Sequence, residues 1–187
     1  MAGQTTINQH VVSFHALWSA YPSFEDPCDK KRYHDQCAIR VGVALVNSGA
    51  SLASFTGERC GIKEHTPQHL LRAHEIAAWL DTRPLTGILQ PRVLKGADCS
   101  DWQNKIRGRT GVIFFSHYWS LPGQTARIGD HIDLWNGTRL TMSWATIPRF
   151  YLHIPQIHLG DSRFARDLVF DYSNLADSLR IVLWEVL

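Results

Sequence analysis

His34-Asp35-Gln36-Cys37-Ala38-Ile39-Arg40, continuing through Val41-Gly42-Val43-Ala44-Leu45-Val46-Asn47, puts a cysteine where a polar loop turns into an apolar helix. The residues after Cys37 are apolar almost all round, the pattern of a helix buried at the centre of a domain, and Gly49 is a good terminator. The second decisive stretch is Gly129-Asp130-His131-Ile132-Asp133-Leu134-Trp135-Asn136-Gly137, which puts a histidine on a strand closing into a tight hairpin. A thiolate at a helix start and an imidazole from a distant strand are the minimal apparatus of cysteine-based acyl transfer.

Around these two stretches the period of the apolar residues changes along the chain. Residues 13–20 predict a short helix with Phe14, Leu17 and Trp18 on one face, ending near Tyr21-Pro22, and the polar run from Ser23 to Gln36 predicts a loop. Thr66-Pro67 resembles an N-cap followed by proline at the first helical position, which predicts a helix through Leu80 with Leu70, Ala73, Ala77 and Leu80 facing the core. Ser100 or Asp101 is a candidate cap for a further short helix reaching Arg107. Beyond it, Gly111 to Phe115, the alternating Asp130 to Trp135, and Ile181 to Leu187 read as strands, with Asn136-Gly137 as a two-residue type I′ turn. Helices first and strands later predict an α+β fold. No repeat or composition break divides the chain, so residues 1–187 are expected to form a single domain.

Composition narrows the function classes. An apolar content of 44% over 187 residues is enough for one well-buried core, and seven tryptophans argue against disorder. The 19 basic and 17 acidic residues are well mixed, with no basic stripe, so nucleic acid is not an expected partner. No apolar run approaches the ~18–20 residues of a membrane span, and the opening residues lack the basic start and apolar core of a secretory signal. The expectation is a chain made in the cytosol that needs another route if it acts outside it. Cys28, Cys60 and Cys99 are expected to be reduced there. No C-x-x-C occurs, which argues against a zinc ribbon.

The chemistry rests on position. A free cysteine is most often a small buried hydrophobe, but at a helix N-terminus the dipole and unpaired N–H groups favour a thiolate, and the same N–H groups can hold an oxyanion. His131 shares a strand face with Asp133 and Trp135, while Ile132 and Leu134 take the other, so a polar, aromatic cleft wall would lie opposite a core face. His65 and His69 are spaced i, i+4 with His74-Glu75 following, yet Ala77 and Ala78 stand where H-E-x-x-H needs its second histidine. No metal or other cofactor is expected. These residues read as a cysteine hydrolase. A cysteine hydrolase or transferase acting on any of several amides, or a non-catalytic binding module with a buried Cys37, fits them too.

The chain also resembles a known family, the fourth family of type VI secretion amidase effectors. The resemblance is carried by the aromatic helix Phe14 to Trp18, by Gln36-Cys37-Ala38-Ile39-Arg40, and by Gly108-Arg109-Thr110-Gly111-Val112-Ile113-Phe114-Phe115. It continues through Tyr118-Trp119, the Gly129 to Gly137 segment, and the closing Leu183-Trp184-Glu185-Val186. The resemblance implies an NlpC-type papain-like fold with a cysteine nucleophile and a histidine base. It also implies hydrolysis of the γ-D-glutamyl–meso-diaminopimelate bond of peptidoglycan stem peptides, in the periplasm of rival Gram-negative cells reached through the type VI secretion apparatus. A cognate immunity protein is implied as partner.

Cys37 and His131 are thus the candidate nucleophile and base, and the group orienting His131 is the open question. A two-residue turn at Asn136-Gly137 would pair Trp135 with Thr138 and His131 with Met142, where the family would be expected to carry a carboxylate. A thioether cannot stabilise an imidazolium. Asp133 is the candidate third member, although i, i+2 side chains diverge in a strand and its carboxylate must fold back. Ser143, a backbone carbonyl, a water, or a plain dyad are the alternatives.

Overall fold

The structure, a computed structural model, describes residues 10–118, 129–142 and 175–187. Helix α1 (Phe14–Ser19) starts where the Ser13 side chain accepts a hydrogen bond from the Ala16 N–H, an N-cap that satisfies one of the helix's free donors. Helix α2 (Cys37–Asn47) begins at Cys37, as its sequence pattern predicts, with Ala38, Ile39, Val41, Gly42, Ala44 and Leu45 buried. Gly49, at φ 87°, follows it, because a left-handed residue terminates a helix most cheaply as glycine. The loop from 23 to 36 is irregular, as expected, and Arg40 ties it back to α2 through the Asp26 carboxylate (2.9 Å) and the Glu25 carbonyl (3.0 Å).

The helix expected to open at Thr66-Pro67 does not start there. The chain from 58 to 71 folds back on itself instead, with Arg59 bridging Leu70, the Cys60 N–H donating to the His69 carbonyl and the Leu71 N–H to the Glu58 carbonyl. Helix α3 (Ala73–Asp81) begins only after this reversal, and Leu70 reaches the core from the bridge rather than from a helical stripe. A four-residue helix, α4 (Ala97–Ser100), precedes the short one expected after Asp101, which forms as α5 (Trp102–Lys105) and ends before Arg107.

Strands β1 (Ile88–Lys95), β2 (Gly111–Ser116), β3 (His131–Trp135) and β4 (Arg180–Val186) form an antiparallel sheet in the order β1-β4-β2-β3. Three were expected. The unexpected β1 is an edge strand with an internal Pro91, a register irregularity and mostly exposed side chains, so neither composition nor alternation announces it. Strand β2 is buried along its whole length between β3 and β4. A Cβ on Gly111 would lie 2.0 Å from the Trp184 carbonyl oxygen, so only glycine fits there.

Each face of the sheet is covered. Val112, Phe114, Ile132, Leu134, Val182 and Trp184 pack with α1, α2 and α3; Ile113, Phe115, Trp135, Ile181 and Leu183 pack with Trp102 and Ile106. The expected alternation along β3 therefore holds, but the face of Asp133 and Trp135, expected to be an open cleft wall, is largely covered. Trp135 lies 1% exposed against Trp102, and its indole N–H donates to the Ile106 carbonyl at 3.1 Å. No helix among the described residues is long and apolar enough to cross a membrane.

Candidate active site

The site forms where the N-terminus of α2 meets the edge strand β3. Gln36, 4% exposed, precedes the first turn; its side-chain amide donates to the Tyr33 carbonyl, and its carbonyl oxygen accepts from the Cys28 N–H at 3.4 Å. These contacts fix the backbone immediately before Cys37, whose partly exposed side chain packs at the margin of the helical core. Gly42 lets the helix press close to its neighbour, since a Cβ there would come within 3.1 Å of Leu70 Cγ.

The structure brings the three sequence-predicted residues together. Cys37 and Asp133 both lie within side-chain hydrogen-bonding reach of the His131 ring. His131 Nε2 is 3.5 Å from Asp133 Oδ2, and the aromatic rings of Phe115 and Tyr118 stand 6.1 and 6.3 Å from the imidazole. Asp133 is almost wholly buried, and its carboxylate does fold back toward the residue two positions before it. Its other oxygen, Oδ1, accepts from the Leu134 N–H at 2.7 Å and from the Thr141 hydroxyl. Those two donors hold the carboxylate in the orientation that strand geometry alone disfavours.

Electrostatics follow from this packing. Burial pushes the His131 pKa down, since it penalises the imidazolium. The hydrogen bond to Asp133, then that to Cys37 and the negative charges of both, outweigh it and raise the value from 6.5 to about 9. Tyr21 is a member of this network that sequence reasoning passed over. Its phenol is held well above its usual pKa by burial first and by the Asp133 charge second, and it shares a hydrogen bond with Thr141. A chain of contacts thus runs from Tyr21 through Thr141 and Asp133 to His131 and Cys37. A tyrosine just after a short helix carries no sequence signal for such a role.

The hairpin register corrects one expectation. Asn136 and Gly137 do not form a two-residue turn: the Asn136 N–H donates to the Arg139 carbonyl, and Trp135 bridges Leu140 rather than Thr138. The Asn136 side-chain oxygen accepts from the N–H groups of Thr138 and Arg139, so an Asx-type turn lengthens the loop. Met142 is therefore not opposite His131. Ser143 lies outside the described residues.

Of the histidines weighed for metal binding, His74 sits apart, 3.6 Å from Asp130, while His65 and His69 stack with ring centroids 4.1 Å apart. They meet Cys28 and Cys60, and one ligand atom from each of the four lies within 4.8 Å of the others.

The model of the family described as type VI secretion system amidase effector protein 4, Tae4, matches residues 33–184. The chain belongs to the Tae4 family. Solved structures agree at the level of the fold. The Tae4 effector of Salmonella typhimurium, solved in complex with the immunity protein Tai4 from Enterobacter cloacae, superposes with a TM-score of 0.55 at 16% identity, covering 94% of this chain and 99% of that one. Tae4 of Enterobacter cloacae gives a TM-score of 0.57 at 13% identity, covering 96% and 99%. No curated protein matches the chain in sequence. The α+β, papain-like architecture expected from the sequence is the fold of these Tae4 structures, and the chain is an amidase effector of type VI secretion.

Proposed function

We propose that this Tae4 family member is a cysteine amidase that hydrolyses the γ-D-glutamyl–meso-diaminopimelate bond of peptidoglycan stem peptides in the periplasm of Gram-negative target cells. The observation that carries the reading is the convergence of Cys37, His131 and Asp133 at the start of α2, one partly exposed thiol backed by a buried acid. The Cys37 thiolate attacks the amide carbonyl carbon, and the oxyanion is held by the free N–H groups at the start of α2, that of Cys37 among them. The His131 imidazolium gives its proton to the leaving amine. The neutral ring then takes a proton from water as that water attacks the thioester, which frees the carboxylic acid and restores the thiolate. Asp133 holds the Nε2–H and fixes the ring's tautomer, leaving Nδ1 for the thiol and the leaving group.

The whole of residues 1–187 acts as one catalytic domain in this reading. Its partners are the stem peptide, the type VI secretion apparatus and a cognate immunity protein, the last supported by the Tai4 bound to the Salmonella and Enterobacter effectors. Digestion of purified peptidoglycan followed by mass spectrometry of the fragments tests it. Cut γ-D-Glu–diaminopimelate bonds with the natural chain and none with Cys37→Ala are expected. Release at the natural rate by Cys37→Ala would overturn the nucleophile assignment, and cleavage at a different bond would overturn the substrate.

A further inference from the structure

We infer that Cys28, Cys60, His65 and His69 form a structural zinc site that staples the loop leading into Cys37 to the chain reversal at 58–71. The four residues come from two separate segments, which is why the absence of C-x-x-C in the sequence did not reveal them. Cys28 belongs to the loop before α2, and Cys60, His65 and His69 to the reversal, with an H-x₃-H spacing familiar from structural zinc sites.

Geometry and chemistry agree. A tetrahedral zinc with Zn–S near ~2.3 Å and Zn–N near ~2.0–2.1 Å holds sulfur and nitrogen ligands about 3.5 Å apart. His65 Nδ1 lies 3.4 Å from Cys60 Sγ and 3.8 Å from Cys28 Sγ. His69 supplies an independent sign: its Nδ1 is buried with no hydrogen-bond partner among the described residues, a costly arrangement unless something accepts that lone pair. The His69 backbone N–H donates to Cys60 Sγ at 3.3 Å, and the Cys60 N–H donates to the His69 carbonyl at 2.9 Å. An N–H aimed at sulfur is the kind of outer contact that steadies a metal-bound thiolate. Both sulfurs are buried, at 4% and 0% exposure.

Charge balance suits that burial. Binding releases two thiol protons to solvent and leaves Zn²⁺, two thiolates and two neutral imidazoles, a site of zero net charge. Its position gives it a purpose distinct from catalysis. Cys28 and Ile39 of α2 share a small core with Cys60, and the Cys28 N–H is bonded to Gln36, the residue before the proposed nucleophile. Metal at this site locks the approach to α2.

Metal analysis of the purified full-length protein tests the inference without reference to activity. The natural chain and Cys37→Ala should each carry one zinc per chain. Cys28→Ser and His69→Ala should lose it, and Cys99→Ser, altered in the opposite core, should keep it. Cobalt exchanged into the natural chain should show the strong visible bands and sulfur-to-metal charge transfer of a tetrahedral thiolate site, and a chelator should lower Tm by roughly 10 °C or more. A folded natural chain that takes up neither zinc nor cobalt overturns the site, as does a Cys28–Cys60 disulfide found by mass spectrometry in that chain. Loss of peptidoglycan cleavage with zinc retained would count against the proposed function alone.

Discussion

Thr141 stands behind Asp133: its hydroxyl donates to the carboxylate oxygen turned away from His131, while the other oxygen lies 3.5 Å from the imidazole Nε2. A threonine beyond the hairpin loop thus aims an acid that its own strand would point elsewhere. Asp133→Asn keeps the shape but can present an N–H to the ring and hold the wrong tautomer. Turnover should fall by roughly 10²–10⁴-fold with far-UV and near-UV circular dichroism unchanged. Near-natural kcat would show that Asp133 plays no part in orienting His131.

Thr141→Val removes one donor and keeps the volume. The carboxylate then loses an anchor without losing its charge, so kcat should drop roughly 10-fold or more, on the scale of other outer-contact losses around reacting groups. The decisive comparison is Thr141→Ser, which restores the hydroxyl and should recover most of the rate.

Met142→Asp should neither raise turnover nor rescue Asp133→Asn, because the Trp135–Leu140 bridge removes Met142 from the position opposite His131. Rescue in the double variant, read by the same peptidoglycan assay, would mean that the hairpin adopts the shorter turn in solution.

The pH dependence follows from the raised His131 pKa. Folding lifts it from 6.5 to about 9, so the native state holds that proton more tightly than the unfolded chain does. The stability gained is therefore fully present below pH 6.5 and is lost as pH rises from there through about 9. The proposed mechanism needs the imidazolium, so kcat/KM should fall on the alkaline side with an apparent pKa near 9. Asp133→Asn should move that limb to lower pH. A limb that stays in place would detach the carboxylate from the titration.

Gly111→Ala tests the centre of the sheet. The added Cβ would meet the Trp184 carbonyl at 2.0 Å, so β2 and β4 must part. Overpacking of this kind costs about 1–3 kcal/mol or somewhat more, readable as a lower urea midpoint at unchanged slope.

What the sequence disclosed and what it hid have physical reasons. Helix α2 was legible to the residue because an all-round apolar run admits one reading, and β2, β3 and β4 were legible because their apolar and β-branched residues are buried. Strand β1 was not, since an exposed edge strand containing Pro91 has no alternation to show. The chain reversal at 58–71 hid behind Thr66-Pro67, whose N-cap grammar is local, whereas the Arg59–Leu70 bridge is set by partners across the fold. The proposed nucleophile and base, Cys37 and His131, could be picked out from their flanks. Thr141 and Tyr21 could not, because their part depends on a hairpin register that Asn136-Gly137 misstates and on a contact between distant segments.

The thiol stands at the tip of α2 and its proposed base on β3, so the two arrive on different layers and face each other only across the seam between them. In the proposed mechanism cleavage needs both layers in place, since the helix supplies the thiol and the strand supplies the imidazole with its acid. The seam between them, rather than either layer, would then be where activity is made or lost.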